Sequence, residues 1–122
     1  MAVEEDNVVH LCGRVSAVDP PRELPSGDSV VTLRVVVPRP ARAAGPRQRT
    51  KDSPPPRTQV DTIDVACWSA MTRRTAAGLA ADDRVEVEGA LRRRFFRAGG
   101  APASRYEVEA SRLRRVTPAS TA

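Results

Sequence analysis

Aromatic side chains are scarce in this chain: two Phe, one Tyr and one Trp among 122 residues. A core built from stacked rings is thereby excluded, and packing has to come from Val, Ala and Leu. Hydrophobic residues make up 40% of the chain, enough for one packed domain, which argues against wholesale disorder. Cysteine is nearly absent too. Cys12 and Cys67 are far apart and outside any C-x-x-C spacing, so neither a disulfide framework nor a zinc site is expected. Both read as small buried apolar residues rather than reactive thiols. His10 is the only histidine and has no companion ligand in the sequence, so no metal role is expected for it.

Catalytic signals are missing as well. The chain carries no phosphate-cradling glycine loop, no nucleophile set beside a base and no paired carboxylates with a plausible pocket. It reads as a protein without enzymatic activity or cofactor. Asp82 with Asp83, Glu86 with Glu88 and Glu107 with Glu109 read as solvated acids, explained by a helix end and by strand alternation. No stretch is long and apolar enough to cross a bilayer, and the acidic start Met1-Ala2-Val3-Glu4-Glu5-Asp6 is unlike a signal peptide. A reducing, cytoplasmic setting without a membrane partner is the expectation.

What the chain does hold is arginine. Lys plus Arg is 20 against 15 for Asp plus Glu, a net charge of +5, and only Lys51 among the basic residues is not Arg. Such a balance favours an anionic partner such as nucleic acid. Between Pro38 and Gln59, six prolines and the cations Arg39, Arg42, Arg47, Arg49, Lys51 and Arg57 stand against one acid, Asp52. That segment cannot bury enough apolar surface to offset its ordering entropy, so residues 38–59 read as a mobile basic loop. Two roles fit it equally: a solvated linker, or a flap whose arginines follow a phosphate backbone. The second concentration is Leu91-Arg92-Arg93-Arg94-Phe95-Phe96-Arg97. It runs into Ala98-Gly99-Gly100-Ala101-Pro102 and returns through Ser104-Arg105-Tyr106-Glu107-Val108, so three of the four rings lie in one hairpin. Cations, flat rings and a turn together suit a polyanion whose bases are unstacked.

Alternation organises the rest. Asn7 to Val18 reads as a strand with Val9, Leu11 and Val15 on one face, and Gly13 within it signals a bend or bulge. Asp19-Pro20-Pro21 stops it, Arg22 to Asp28 is turn material, and Ser29 to Val37 is a β-branched second strand. A third strand spans Val60 to Trp68. Ser69 is placed to N-cap a short helix from Ala70 to about Leu79, with a rough stripe of Met71, Thr75, Gly78 and Leu79. In the fourth strand, from Arg84, Val85, Val87, Gly89 and Leu91 face one way and Glu86, Glu88, Ala90 and Arg92 the other. A fifth runs from Ser104 to Val116, and residues 117–122 form a short polar tail. Three strands, a short helix and a long hairpin is the element order of the OB-fold. The expected architecture is therefore all-β with one short helix: a single five-stranded OB-fold barrel over residues 1–116, with a long hairpin between its fourth and fifth strands.

Four segments in this order also carry a resemblance. Asn7-x-Val9-x-Leu11-x-Gly13-Arg14-Val15, Leu24-Pro25-Ser26-Gly27, Trp68 with Leu79 and Val85 following, and Gly89-Ala90-Leu91-Arg92-Arg93-Arg94-Phe95-Phe96 together resemble the bacterial single-stranded DNA-binding protein family. The resemblance implies OB-fold subunits that assemble, as a tetramer or dimer, and wrap single-stranded DNA by stacking bases on rings. It implies roles in replication, recombination or repair, and partners drawn from those assemblies. By position, Trp68 and Phe96 match the family's aromatic sites, and Arg92 to Arg94 match its basic hairpin strand. Rings are lacking at two further family sites, around Val37 to Pro40 and near Thr62. Thr72-Arg73 stands where the family often has Ala-Glu, and Asp82 replaces a turn glycine. The family's acidic, aromatic-ended tail is not present in Thr117 to Ala122, which suggests a short paralogue.

The candidate DNA contacts are therefore Arg92, Arg94, Arg97, Arg105, Tyr106 and the loop cations Arg39, Arg42, Arg47, Arg49, Lys51 and Arg57, with bases on Phe96 and Trp68. Trp68 reads equally as a ring packed under the helix, and Tyr106 either lies beside Phe96 or fills the barrel end. Alternation sets Phe95 and Phe96 on opposite faces, with Phe95 inward beside Val85 and Val87, and Phe96 outward beside Arg92 and Arg94. An interaction subunit, joined to another single-stranded DNA-binding protein and weak in its own DNA affinity, is the competing reading.

Overall fold

The β-branched runs become strands where alternation places them, and their pairing closes on itself. A computed structural model describes residues 4–40 and 59–116. Its elements are β1 (Val9–Val18), β2 (Arg22–Glu23), β3 (Ser29–Pro38), β4 (Val60–Cys67), α1 (Ala70–Ala77), β5 (Arg84–Ala98) and β6 (Ala101–Val116). The two-residue β2, paired with Ser29 and Val30, falls in the segment expected to be turn alone. Most of the basic loop, with Arg42, Arg47, Arg49, Lys51 and Arg57, and the tail 117–122 lie outside the described residues.

β1 pairs antiparallel with both β3 and β5, β5 with β6, and β3 with β4. A parallel contact between β4 and β6, Val65 to Val108 and Ala66 to Glu109, completes the ring. The result is a closed five-stranded barrel with its helix between β4 and β5. This is the OB-fold.

Inward residues are those of one alternation phase. Val15, Leu33, Val35, Val65, Cys67, Val85 and Val87 are essentially inaccessible, and Ala76 and Leu79 join them from the helical segment. Burying each Val or Leu side chain contributes roughly 1.5–3 kcal/mol, so aliphatic packing holds this barrel without an interior ring. Cys67 belongs to the core, where burial pushes its thiol up to about 11. Cys12, expected to be buried, is exposed on β1 because it lies in the outward phase.

Ser69 caps α1 as expected, its hydroxyl accepting from the Thr72 amide at 3.1 Å. The buried stripe differs from the expected one: Thr72, Ala76 and Leu79 face inward, while Met71 is 78% exposed. The helix ends at Ala77, so the stripe is set by two turns only, and one position of phase error rotates it by about 100°. Thr72-Arg73 has local work here. Thr72 is buried against the Ser69 hydroxyl at 2.8 Å, and Arg73 donates to the Trp68 carbonyl oxygen.

Two further departures concern the backbone. The irregularity in β1 falls between Val15 and Ala17, not at Gly13, whose missing side chain admits the Val36 carbonyl oxygen of β3. Asp82 takes a positive φ of 74°, the only non-glycine described residue to do so. A left-handed conformation costs an L-residue roughly 1–2 kcal/mol. Asp82→Gly should therefore stabilise the barrel by about 0.5–1 kcal/mol, since glycine's greater unfolded-state entropy offsets part of the relief. Urea denaturation would show a higher midpoint at an unchanged slope, and a lower midpoint would count against this strain.

Candidate nucleic-acid interface

The interface is an arm that outgrows the barrel. β5 and β6 pair from Gly89 and Ala110 out to Ala98 and Ala101, whereas β4 reaches β6 only at Val108 and Glu109. Beyond Leu91 the hairpin is thus a two-stranded ribbon. Gly99 and Gly100 close it with φ of 60° and 83°, the pair of positive values that suits a two-residue turn between twisted strands. Arg97 at the tip donates to the Gly100 carbonyl at 3.2 Å.

Cross-strand neighbours on a ribbon share a face, which separates the side chains into two sets. On one face Arg92, Arg94 and Phe96 lie opposite Glu107, Arg105 and Ala103. Arg94 sits over the Trp68 ring at 4.6 Å, and Arg105 over Phe96 at 5.5 Å. These are the residues expected to meet DNA, and the fold does bring Trp68, Arg92, Arg94, Phe96 and Arg105 together. It also brings two acids. Arg92 pairs with Glu109 at 2.7 Å and Arg94 with Glu107 at 3.1 Å. Glu107 is only 4% exposed and is not a solvated acid, because Arg94 lies across it. Its Oε2 lies off the line of the Arg94 N–H, so the contact is Coulombic rather than a hydrogen bond. Trp68 is half-buried, with its indole N–H unpartnered and its ring covered by Arg94, an arrangement between the two readings its position allowed.

The opposite face carries a second cluster, in which only Tyr106 is among the DNA contacts expected from the sequence. Arg93 and Phe95 lie across from Tyr106 and Ser104, and the Arg93 guanidinium stands 5.0 Å from the Phe95 ring centre and 5.7 Å from that of Tyr106. Ser104 Oγ accepts from Arg93 Nε at 3.3 Å and from Nη2 at 3.2 Å. Phe95 is 74% exposed and Tyr106 60%, so neither is core. Phe95 does point to the side of Val85 and Val87, but no strand lies over the arm to cover it. Tyr106 accordingly stands beside Phe95 rather than Phe96. Arg93 has no carboxylate partner among the described residues, unlike Arg92 and Arg94. The available signal was register: a two-residue turn at Gly99-Gly100 pairs Arg93 with Tyr106.

Arg39 is not brought to the arm by any described contact. Its guanidinium pairs with Asp61 at 2.7 Å, a bond that holds it all the more firmly in the charged form.

No family model matches the sequence, and no curated protein matches it. Among solved structures, the chain is similar to a Plasmodium falciparum SSB in complex with ssDNA, with a TM-score of 0.72. The two are 21% identical, and the match covers 96% of this chain and 100% of the other. What they share is the barrel.

Proposed function

We propose that this chain binds single-stranded DNA without sequence preference, in replication, recombination or repair. The observation that carries this reading is the arm: exposed rings on both faces, each with an arginine stacked on it, on a ribbon too thin to bury them. Every base offers a π-face and every nucleotide a phosphate, so stacking rings interleaved with cations suit an unpaired strand of any sequence. That an SSB of the same fold is solved with ssDNA supports the choice of ligand. The short motifs shared with the bacterial family support a relation to it. The protein would work without catalysis, in the cytoplasm, and as a homo-oligomer. Val9 to Gly13 of β1 pair with β5 alone, which leaves an edge where a second copy could add.

Salt dependence of binding to a poly-thymidine oligonucleotide tests this reading. Arg93, Arg97 and Arg105 have no acid partner among the described residues, and each phosphate neutralised on a single strand contributes about −0.7 to the slope of log K against log salt. A slope of about −2 or steeper is expected from these three alone. Absence of binding at low salt, or binding that salt leaves unchanged, would overturn the proposal. The interaction-subunit reading draws support from Glu107 and Glu109, which already occupy two of the arginines. It would show as stable mixed oligomers with a full-length relative in native mass measurement, with no intrinsic DNA affinity.

A further inference from the structure

Away from the arm, near the start of β5, the barrel brings together three side chains that the sequence keeps far apart. His10 and Cys12 alternate onto the outer face of β1, and Glu86 of β5 is the direct cross-strand partner of Cys12. His10 Nε2 lies 2.8 Å from Glu86 Oε2 and 3.9 Å from Cys12 Sγ, and the ligand atoms of all three fall within 4.8 Å of one another. Tetrahedral zinc, with bonds near 2.0 Å to nitrogen or oxygen and 2.3 Å to sulfur, sets such atoms roughly 3.3 to 3.6 Å apart. Adjustments of about half an ångström at His10 and of up to about 1.3 Å between Cys12 and Glu86, within the freedom of exposed side chains, would meet that spacing.

We propose that His10, Cys12 and Glu86 form a surface site for Zn2+, with water completing the coordination. The donor set chooses the metal: thiolate with imidazole favours zinc over magnesium or calcium, which take oxygen ligands. On binding, the Cys12 thiol gives its proton to solvent as the sulfur–zinc bond forms, and the proton held between His10 Nε2 and Glu86 Oε2 is displaced, so that the imidazole ligates through Nε2 with its N–H on Nδ1. Thiolate and carboxylate then supply two negative charges against the single positive charge of Arg114. Arg114 donates to Glu86 Oε1 at 2.6 Å from Nη2 and 3.1 Å from Nε, which leaves Oε2 for the metal and orients the carboxylate, as outer-shell partners do at metal sites. Both strands belong to the closed barrel, so the backbone holding all three ligands is fixed in advance of binding.

Calorimetric titration of the full chain with zinc, together with the absorption spectrum of the cobalt-loaded protein, tests the site. One equivalent is expected to bind, with a thiolate-to-cobalt charge-transfer band in the near ultraviolet. Buried Cys67 is out of reach of this metal, so the band reports Cys12. Loss of an outer-shell partner alone typically costs 10–100-fold in affinity, so Cys12→Ser and His10→Ala should each lose at least about 100-fold, and Arg114→Ala about tenfold. All three positions are exposed, and circular dichroism would confirm that the variants fold. Zinc affinity equal in wild type and Cys12→Ser, no charge-transfer band, or no binding at all would overturn the site and show His10, Glu86 and Arg114 as an ion-pair network only.

Discussion

Phe95→Ala/Phe96→Ala should lose single-stranded DNA affinity by about 30-fold or more at low salt, because base stacking on a ring is worth roughly 1–3 kcal/mol per base. The two rings lie on opposite faces of the arm and are 74% and 42% exposed, so their removal takes nothing from the barrel interior. Exposed substitutions of this kind usually change stability by no more than about 0.5 kcal/mol. Fluorescence titration with a poly-thymidine oligonucleotide, beside a thermal melt, separates the two effects. The single variants then assign the faces. Comparable losses for Phe95→Ala and Phe96→Ala would mean that the strand engages both sides of the ribbon. A loss confined to Phe96→Ala would restrict DNA to the face of Trp68 and Arg94, and an unchanged double variant would remove stacking from the mechanism altogether.

Gly89→Ala should cost at least about 3 kcal/mol, the upper end for inserting atoms into a packed site. Gly89 lies at the register shift between β5 and β6. A Cβ there would stand 2.0 Å from the Glu109 carbonyl oxygen, 2.9 Å from its carbon and 3.1 Å from Ala110 Cα. All three are backbone atoms, which cannot rotate aside as a long side chain would. Relief requires β5 and β6 to part beside the contact of β6 with β4, where the barrel closes. For a domain of this size the midpoint of melting should fall by roughly 10–20 °C. A variant melting within a few degrees of wild type would show that the strands do not approach so closely. The same glycine opens the Gly89-Ala90-Leu91 motif, so its presence there has a steric reason.

The hairpin illustrates how far residue order carries. Alternation puts Phe95 on the side of Val85 and Val87 and predicts it inward, yet it is 74% exposed. The pattern could not give what stands opposite, because β4 meets β6 only at Val108 and Glu109 and the arm runs on beyond it. Glu107 shows the converse. As one of two alternating acids it looked solvated, yet the closed barrel and the Arg94 side chain leave it 4% exposed. Cys12 and His10, singletons in sequence, gain Glu86 as a neighbour only through the pairing of β1 with β5.

The sequence by itself determined where the five barrel strands run, that Ser69 starts the helix, that Gly99-Gly100 turns the hairpin, and that charge and rings gather there. Those features follow from local preferences: a period of two, a capping hydroxyl, and glycines able to take positive φ. Tertiary structure decided which arginines are already paired with acids, that a second stacking face exists around Arg93, and which ligating atoms meet on β1 and β5. Exposure and ion pairing depend on what lies across from a side chain, and in a closed barrel that is set by the register of strands distant in sequence.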